Sequence, residues 1–374
     1  MPRSSLHEFL RWQHSGGEYD SEGEFTLDSH QAIAKMGLYQ LDAPGLWLVK
    51  LVQAGVALGV TDIEITTMEN FALLKFFGGS AVDGREIGRA VMSGELPSEP
   101  WKLHLVVGLR ALMACHPPQL CFVDSSGRTT NIGAAVDTAA PVSAGPGTGF
   151  AFYIELPPAQ GIRRWLTRDP FVLTQVRSLC QLCHLPIRLN GETISRRFPP
   201  DQARQSGRLS KPRAVIALQP QGSTALPVAL SGWGELEPQL CSVPKPRLDP
   251  YRLGGLAVLR EGLVTRSSSW CYWVKDGAIL RPRQLDFQAQ TRTFSRFSLD
   301  LYLDGSEVGV DLSGFQTTPT AVDFLSLGAQ LRKEFQTLDF TLLGRVQPGW
   351  TVKEQAAENR RSVLEALTWL KFSS

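Results

Sequence analysis

Apolar residues are densest between residues 46 and 58, where they occupy nearly every face of a potential helix. Pro44 stands just before this stretch, where its fixed backbone angle suits a first helical turn, and Gly59 follows it. A helix that is apolar on all sides is buried between other layers of structure. The pattern therefore predicts a buried helix over residues 46–59.

Alternating and fully apolar runs in the rest of the first half predict strands separated by helices. Strands are predicted at residues 61–66, 71–77, 120–124, 129–134 and 149–156, and helices at residues 30–40, 84–92, 103–114 and 171–183. A short strand at residues 186–190 ends on Asn190-Gly191, a dipeptide typical of tight β-hairpins. This order predicts the α+β class, with one mixed or antiparallel sheet under a layer of helices.

Changes in pattern divide the chain into predicted units. Residues 1–24 are a polar lead-in, residues 25–200 form a first domain, and residues 201–213 form a linker with the basic side chains Arg204, Arg208, Lys211 and Arg213. A second α+β domain is predicted over residues 214–345, with strands at 214–218, 256–265, 270–274 and 297–303, hairpin turns at Asp276-Gly277 and Asp304-Gly305, and a helix at 320–335. Residues 350–374 are predicted to form a C-terminal amphipathic helix.

The charge balance narrows the class of partner. The 374 residues carry 38 basic and 36 acidic side chains, a formal net charge of +2. Bulk charge therefore disfavours a nucleic-acid binder, although the basic linker leaves a local nucleic-acid site open as an alternative. The N-terminal sequence lacks the apolar core of a signal peptide, and no apolar stretch is long enough to span a bilayer. We expect a soluble, cytoplasmic protein without a membrane partner.

Six cysteines raise the question of metal or haem chemistry: Cys115, Cys121, Cys180, Cys183, Cys241 and Cys271. The string Cys180-Gln-Leu-Cys183-His184 matches the pattern that attaches haem through two thioethers, and it equals half of a zinc site. A second tight Cys/His pair does not follow, and the preceding residues have the spacing of an amphipathic helix. We therefore expect reduced cysteines in the core, with no metal.

One segment carries a family resemblance. Residues 49–65, Val-Lys-Leu-Val-Gln-Ala-Gly-Val-Ala-Leu-Gly-Val-Thr-Asp-Ile-Glu-Ile, resemble the second helix and following strand of the GHKL ATPase superfamily, which includes ninety-kilodalton heat-shock chaperones, gyrase B, MutL and histidine kinases. Residues 106–114 resemble the helix behind the family's glycine-rich lid, and residues 184–194 the segment that closes the chaperone ATPase domain. The resemblance implies a two-layer sandwich followed by a domain similar in layout to the family's transducer domain.

The same resemblance predicts a degenerate nucleotide site. In the family, this helix carries a Glu that polarises water and, four residues later, an Asn that holds magnesium; the aligned residues are Lys50 and Ala54. Lysine cannot act as the carboxylate base, and alanine has no oxygen for the metal. A shift of one residue offers Val49 and Gln53, which again supplies no base.

Other family features are displaced or missing. Where the family has an acid that accepts a hydrogen bond from adenine, the chain has Gly78-Gly79, and Asp83 comes several residues late. Of the lid glycines only Gly108 is left, while Gly147-Thr148 resembles the family's Gly-Thr near the nucleotide. Two of the site residues also have an ordinary explanation: Lys50 is expected to extend to the surface, and Asp83 to form a turn or helix cap.

These observations lead to one prediction and two alternatives. We expect a GHKL-like protein that acts as an interaction or scaffold component, with protein partners, possible self-association, no catalytic residue and no bound cofactor. Its vestigial pocket would contain Lys50, Gln53, Ala54, Gly78, Gly79, Asp83, Gly108 and Thr148. The alternatives are a divergent ATPase that binds ATP and magnesium through Asp83 and Gln53, and a nucleic-acid-binding module built on the basic linker.

Overall fold

The computed structural model describes most of the chain between residues 35 and 372. The described residues are 35–37, 39–41, 43–68, 71–133, 145, 147–155, 170–195, 211–218, 241–243, 255–261, 268–287, 297–306, 308–311, 313–317, 324–342 and 347–372. Their α-helices are α1 (Trp47–Leu58), α2 (Gly84–Met92), α3 (Pro100–Met113), α4 (Pro170–Leu179), α5 (Phe324–Thr337) and α6 (Val352–Thr368), with short 3₁₀ turns at Pro44–Leu46 and Phe340–Leu342.

A first mixed sheet is built from the first half of the chain. Its strands are β1 (Val60–Thr67), β2 (Phe71–Gly78), β3 (Leu120–Asp124), β4 (Thr129–Asn131), β5 (Thr148–Glu155), β6 (Ile187–Leu189) and β7 (Glu192–Thr193). They lie in the order β4-β3-β5-β2-β1-β6-β7, and all neighbours are antiparallel except β1 and β6. This sheet and α1–α4 are called the first unit below.

A second mixed sheet follows. Its strands are β8 (Lys211–Leu218), β9 (Cys241–Val243), β10 (Gly255–Glu261), β11 (Ser269–Lys275), β12 (Ala278–Ile279), β13 (Arg283–Asp286), β14 (Phe297–Asp304) and β15 (Lys371–Phe372). The order is β15-β13-β11-β14-β10-β8-β9, with β12 paired to β11 as a hairpin. This sheet, α5 and α6 form the second unit.

Helix α1 packs directly on the first sheet because it has a glycine at the contact. A methyl group on Gly55 would lie 2.7 Å from the Phe76 ring and 3.2 Å from Ile63, so only a glycine allows this approach. Gly59 ends the helix in the left-handed conformation at φ 79°, as expected for a C-terminal glycine. Beneath α1, stacked and edge-to-face rings fill the core between β2, β3 and β5: Phe76, Phe122, Phe150 and Phe152.

The C-terminal helix packs against its own chain. Thr351 and Glu354 form a reciprocal capping box at the start of α6, and Gly328 of α5 lies against the Leu367 carbonyl of α6. The helix predicted over 350–374 ends at Thr368, and β15 then joins the edge of the second sheet. The pairing partner on β13 is distant in sequence, so the helical pattern alone could not locate this end.

The predicted α+β class is confirmed, and several local predictions need correction. Helix α3 begins at Pro100 rather than residue 103, because proline occupies its first position instead of breaking it. Asp276-Gly277 forms the predicted hairpin turn, but Asp304-Gly305 leads into an irregular loop instead. Strand β8 begins at Lys211, inside the predicted linker. Residues 1–24 and 201–210 lie outside the described residues.

One continuous cluster of buried apolar side chains runs from the first unit into the second. It includes Val52 of α1, Cys183 after α4, Trp273 of β11 and Leu301 of β14. The two units are therefore joined by a common core. Of the helices that the structure describes, none is long and apolar enough to cross a bilayer.

Candidate functional site

Helix α1 carries three of the predicted site residues, and they lie on the side that is turned away from the first sheet. Lys50, Gln53 and Ala54 share one face because residues three and four apart lie above one another on a helix. Gly55, which touches the sheet, lies roughly 140° around the helix from Lys50. The face that carries Lys50 is therefore free to contact other elements.

Lys50 is buried, so the expectation that it extends to the surface is wrong. Only 1% of the residue is exposed. Its Nζ lies 3.3 Å from Nδ1 of His104 on α3 and 4.4 Å from the centre of the Phe315 ring. Phe315 and Gly314 belong to the second-unit loop (residues 308–311 and 313–317), which closes over the ammonium group. This loop, more than 250 positions away in sequence, is what separates Lys50 from water.

A chain of polar groups continues from Lys50 into the second unit. The Nε2 of His104 lies 2.9 Å from Oδ2 of Asp276, at the turn between β11 and β12. Asp276 is a carboxylate acceptor, so a neutral His104 carries its proton on Nε2 and leaves Nδ1 to accept from Lys50. Three groups on three elements thus form one hydrogen-bonded series across the boundary between the units.

Burial changes the acid–base properties of this series. Desolvation lowers the pKa of Lys50 to about 7, and the nearby carboxylates of Asp276 and Asp311 only partly oppose it. Desolvation also lowers the pKa of His104, against the opposing effect of its hydrogen bond to Asp276. Both groups therefore titrate at a lower pH than they would in water.

Gln53 binds the same turn. Its side-chain nitrogen donates to the Lys275 carbonyl at 3.1 Å, while Oε1 is buried without a hydrogen-bond partner. Lys275 in turn donates from Nζ to the carbonyls of Ser306 and Val308, at 3.2 and 2.7 Å. Ala54 is buried beside these groups on α1. The face that the family resemblance assigns to phosphates and magnesium is thus occupied by the chain's own second unit.

Gly108 has a packing role in the structure. It lies within α3, where an added methyl group would come 3.0 Å from Cβ of Lys50 and 3.1 Å from the Trp47 carbonyl. This close approach lets α1 and α3 cross with their backbones almost in contact. The glycine lies in a helix and not in a loop, and it adjoins Lys50.

Gly78, Gly79 and Thr148 lie at the end of β2 and the start of β5. Both glycines have positive φ, and Thr148 pairs with Phe77 in the sheet. A methyl group on the neighbouring Gly149 would lie 2.5 Å from the Gly78 carbonyl, so small residues permit the two strands to meet here. These positions have a structural reason to be small.

Asp83 caps a helix. Its Oδ1 accepts a hydrogen bond from the Arg85 backbone amide at 2.9 Å at the start of α2. This is the ordinary explanation offered by the sequence.

We expect Asp83→Ala to lower the free energy of unfolding by about 1 kcal/mol, because a backbone amide loses its acceptor. Asp83→Asn keeps an acceptor oxygen and is the matched control, with an expected change of only a few tenths of a kcal/mol. Urea-induced unfolding followed by tryptophan fluorescence measures both. Equal effects of the two substitutions would contradict the capping role.

The Cys-x-x-Cys-His string lies in the core. Cys180 and Cys183 are fully buried and not disulfide-bonded, and a methyl group on Gly277 would lie 2.6 Å from the sulfur of Cys183. Covalent attachment of haem would require both thiols to leave this packing. Within the described ranges, no group of three or more His, Cys, Asp or Glu side chains is arranged to hold a metal ion.

Sequence reasoning did not place His104, Asp276 or Phe315 at the site. A signal existed for the first: His104, like Lys50, is a polar residue in a largely apolar helix, and a buried polar group requires a partner. Asp276 was identifiable only as a turn residue. Phe315 carried no signal, because its contact with α1 depends on how the two units pack.

Comparison of the chain with models of known protein families gives no match, and no curated protein matches it.

Proposed function

We propose that this protein is a GHKL-like interaction or scaffold component that does not hydrolyse ATP. The observation that carries the proposal is the filled face of α1: Lys50 and Gln53 contact His104, the Lys275 carbonyl and the Phe315 ring. A protein that uses this face to join its two units has no room there for a nucleotide.

The residues of this face do not fit magnesium ATP. Lys50 has no carboxylate to polarise water, and Ala54 has no oxygen for a metal ion. The His104 ring lies 2.9 Å from the Asp276 carboxylate, whose negative charge would repel a triphosphate. The unpartnered Oε1 of Gln53 is a single neutral acceptor, and one such atom does not make a magnesium site.

Large exposed apolar side chains support a role in binding other proteins. Trp369 is 50% exposed after α6, Trp350 is 39% exposed before it, and Leu325 is 79% exposed on the adjacent α5. Tryptophan is enriched at the energetic centres of protein–protein interfaces. The common core that joins both units would hold these side chains in fixed positions relative to one another.

Titration calorimetry with ATP and with ADP, each with magnesium, tests the proposal. We expect no saturable heat for either nucleotide, because binding would have to displace the turn at Asp276-Gly277 and the second-unit loop. A dissociation constant tighter than about 100 µM, equivalent to roughly −5.5 kcal/mol, would overturn it. If binding were seen, loss of that heat in Asp83→Ala and Gln53→Ala would favour the divergent ATPase.

A further inference from the structure

The boundary between the two units is closed by a short turn. Asp276 and Gly277 form a two-residue hairpin loop in which both residues have positive φ, at 48° and 77°. This Asp-Gly turn lies over α1 and over Cys183, with Val56 and the Cys183 sulfur close beneath Gly277. Lys275 links the turn to the second-unit loop through its two hydrogen bonds to carbonyls. The turn and the loop therefore form one cover over the Lys50 face.

Few charged groups face Lys50 from the elements packed against it. Among the described residues they are His104 on α3, Lys275 and Asp276 in the turn, and Asp311 in the second-unit loop. Asp311 is held by its own loop, since it accepts hydrogen bonds from the Ser313 hydroxyl and the Gln316 amide. Lys50 and His104 are the two of these groups that are buried in the first unit, and the carboxylates that face them belong to the second unit.

We propose that Lys50, His104 and Asp276 form a proton-controlled latch between the two units, which loosens as the pH falls. In the closed form, the Asp-Gly turn and the second-unit loop cover Lys50. In the open form, the cover lifts locally and Lys50 and His104 are hydrated and take up protons. This inference concerns regulation of the interface and holds whether or not a nucleotide binds elsewhere.

The direction of the effect follows from linkage. Lys50 has a pKa of about 7 when covered, against an ordinary value of 10.5 in water, so opening binds a proton between these two pH values. Opening is therefore increasingly favoured as the pH falls from 10.5 to 7, and Lys50 adds nothing further below that range. His104, whose pKa is also lowered by burial, extends the same trend below pH 6.5.

Cys183 supplies a built-in reporter of opening. Its thiol is fully buried beneath Gly277, so a thiol reagent reaches it only when the Asp-Gly turn lifts. Cys121 in the first sheet and Cys271 in the second are also fully buried, and they report unfolding of the sheets themselves. Labelling with N-ethylmaleimide, read by peptide mass spectrometry, distinguishes local opening from unfolding.

The experiment compares the wild-type chain with Lys50→Met between pH 7 and 9.5. Methionine has a similar length and no proton to take up, and the ratio of the two Cys183 labelling rates cancels the reactivity of the thiol itself. We expect this ratio to fall about ninefold between pH 8 and 9 and about a hundredfold over the whole range. Cys183 should label faster than Cys121 and Cys271 throughout.

Two results would overturn the latch: a ratio that stays constant with pH, or a Cys183 that labels no faster than the two sheet cysteines. Asp276→Asn keeps the proposal testable if Lys50→Met does not fold, because Asn-Gly suits the same turn. Without the Asp276 carboxylate, protonated Lys50 loses its strongest electrostatic stabilisation in the closed form. The Cys183 labelling rate of Asp276→Asn, divided by that of the wild type, should then rise about two- to threefold as the pH falls from 7.5 to 6.5. An unchanged or falling ratio would contradict the latch.

Discussion

Asp300→Leu is expected to lower the free energy of unfolding by about 3–5 kcal/mol. Asp300 on β14 and Arg260 on β10 form an ion pair with Nε and Oδ2 2.8 Å apart, and both residues are buried. Removing the carboxylate leaves a guanidinium in a desolvated site without its counter-charge. Arginine stays protonated in proteins, so it cannot escape the cost by becoming neutral.

The surroundings of this pair are strongly desolvated. Tyr272 and Tyr302 stack on the same face of the second sheet with ring centres 4.7 Å apart, and burial raises the pKa of both hydroxyls. Arg260 also reaches the Tyr302 hydroxyl at 3.4 Å. Water is therefore not available to solvate the Arg260 guanidinium when the Asp300 carboxylate is removed.

A double-mutant cycle separates the pair from its surroundings. The double variant Arg260→Met/Asp300→Leu removes both charges together. We expect it to be more stable than Asp300→Leu alone by about 2–4 kcal/mol. The exposed pair Arg177–Glu192, at 2.6 Å, provides the comparison: Glu192→Ala should cost at most about 1 kcal/mol. Urea-induced unfolding of Asp300→Leu, Arg260→Met, the double variant and Glu192→Ala measures these losses, and equal losses at the buried and exposed pairs would refute the argument.

Gly277→Ala is expected to destabilise the protein by about 2–5 kcal/mol. The residue adopts φ 77°, where a side chain costs about 1–2 kcal/mol, and its methyl group would also meet the Cys183 sulfur at 2.6 Å and Val56 at 2.9 Å. Crowding in a packed interface adds about 1–3 kcal/mol. The cost therefore has a conformational part and a contact part.

The chain contains its own control for the conformational part. Gly191 occupies the same position in the Asn190-Gly191 hairpin, with φ 82° and open space around the place of an added methyl group. Gly191→Ala should cost only the conformational part, about 1–2 kcal/mol. The difference between the two variants in urea-induced unfolding measures how tightly the turn is seated on the first unit. Equal losses would mean that Gly277 is not confined there.

Much of the fold could be predicted from the sequence because it depends on local pattern. The apolar run of α1, the limits of α2 at Gly84–Met92 and the hairpin at Asp276-Gly277 all follow from side chains within a few positions of one another. The end of α6 was less accessible, since β15 forms only where the second sheet offers an edge. Pairing between distant strands leaves little trace in a single sequence.

Some features of the candidate site could likewise be predicted from the sequence, and others depend on distant contacts. The sequence aligned Lys50 and Ala54, four residues apart on one helix, with the family's carboxylate and metal ligand, and it showed that both functional groups are missing there. It correctly offered a helix cap for Asp83. It was wrong about the exposure of Lys50, because a lysine on a helix is usually able to reach water.

By itself, then, the sequence determined which helix is buried, which side chains share its face and where the tight turns fall, since these depend on neighbours along the chain. Only the tertiary structure decided that Lys50 is covered by Phe315, linked through His104 to Asp276 and shifted towards neutrality. Burial and electrostatic environment depend on distances in space between residues 54 to 265 positions apart. Those distances are fixed by packing of the two units.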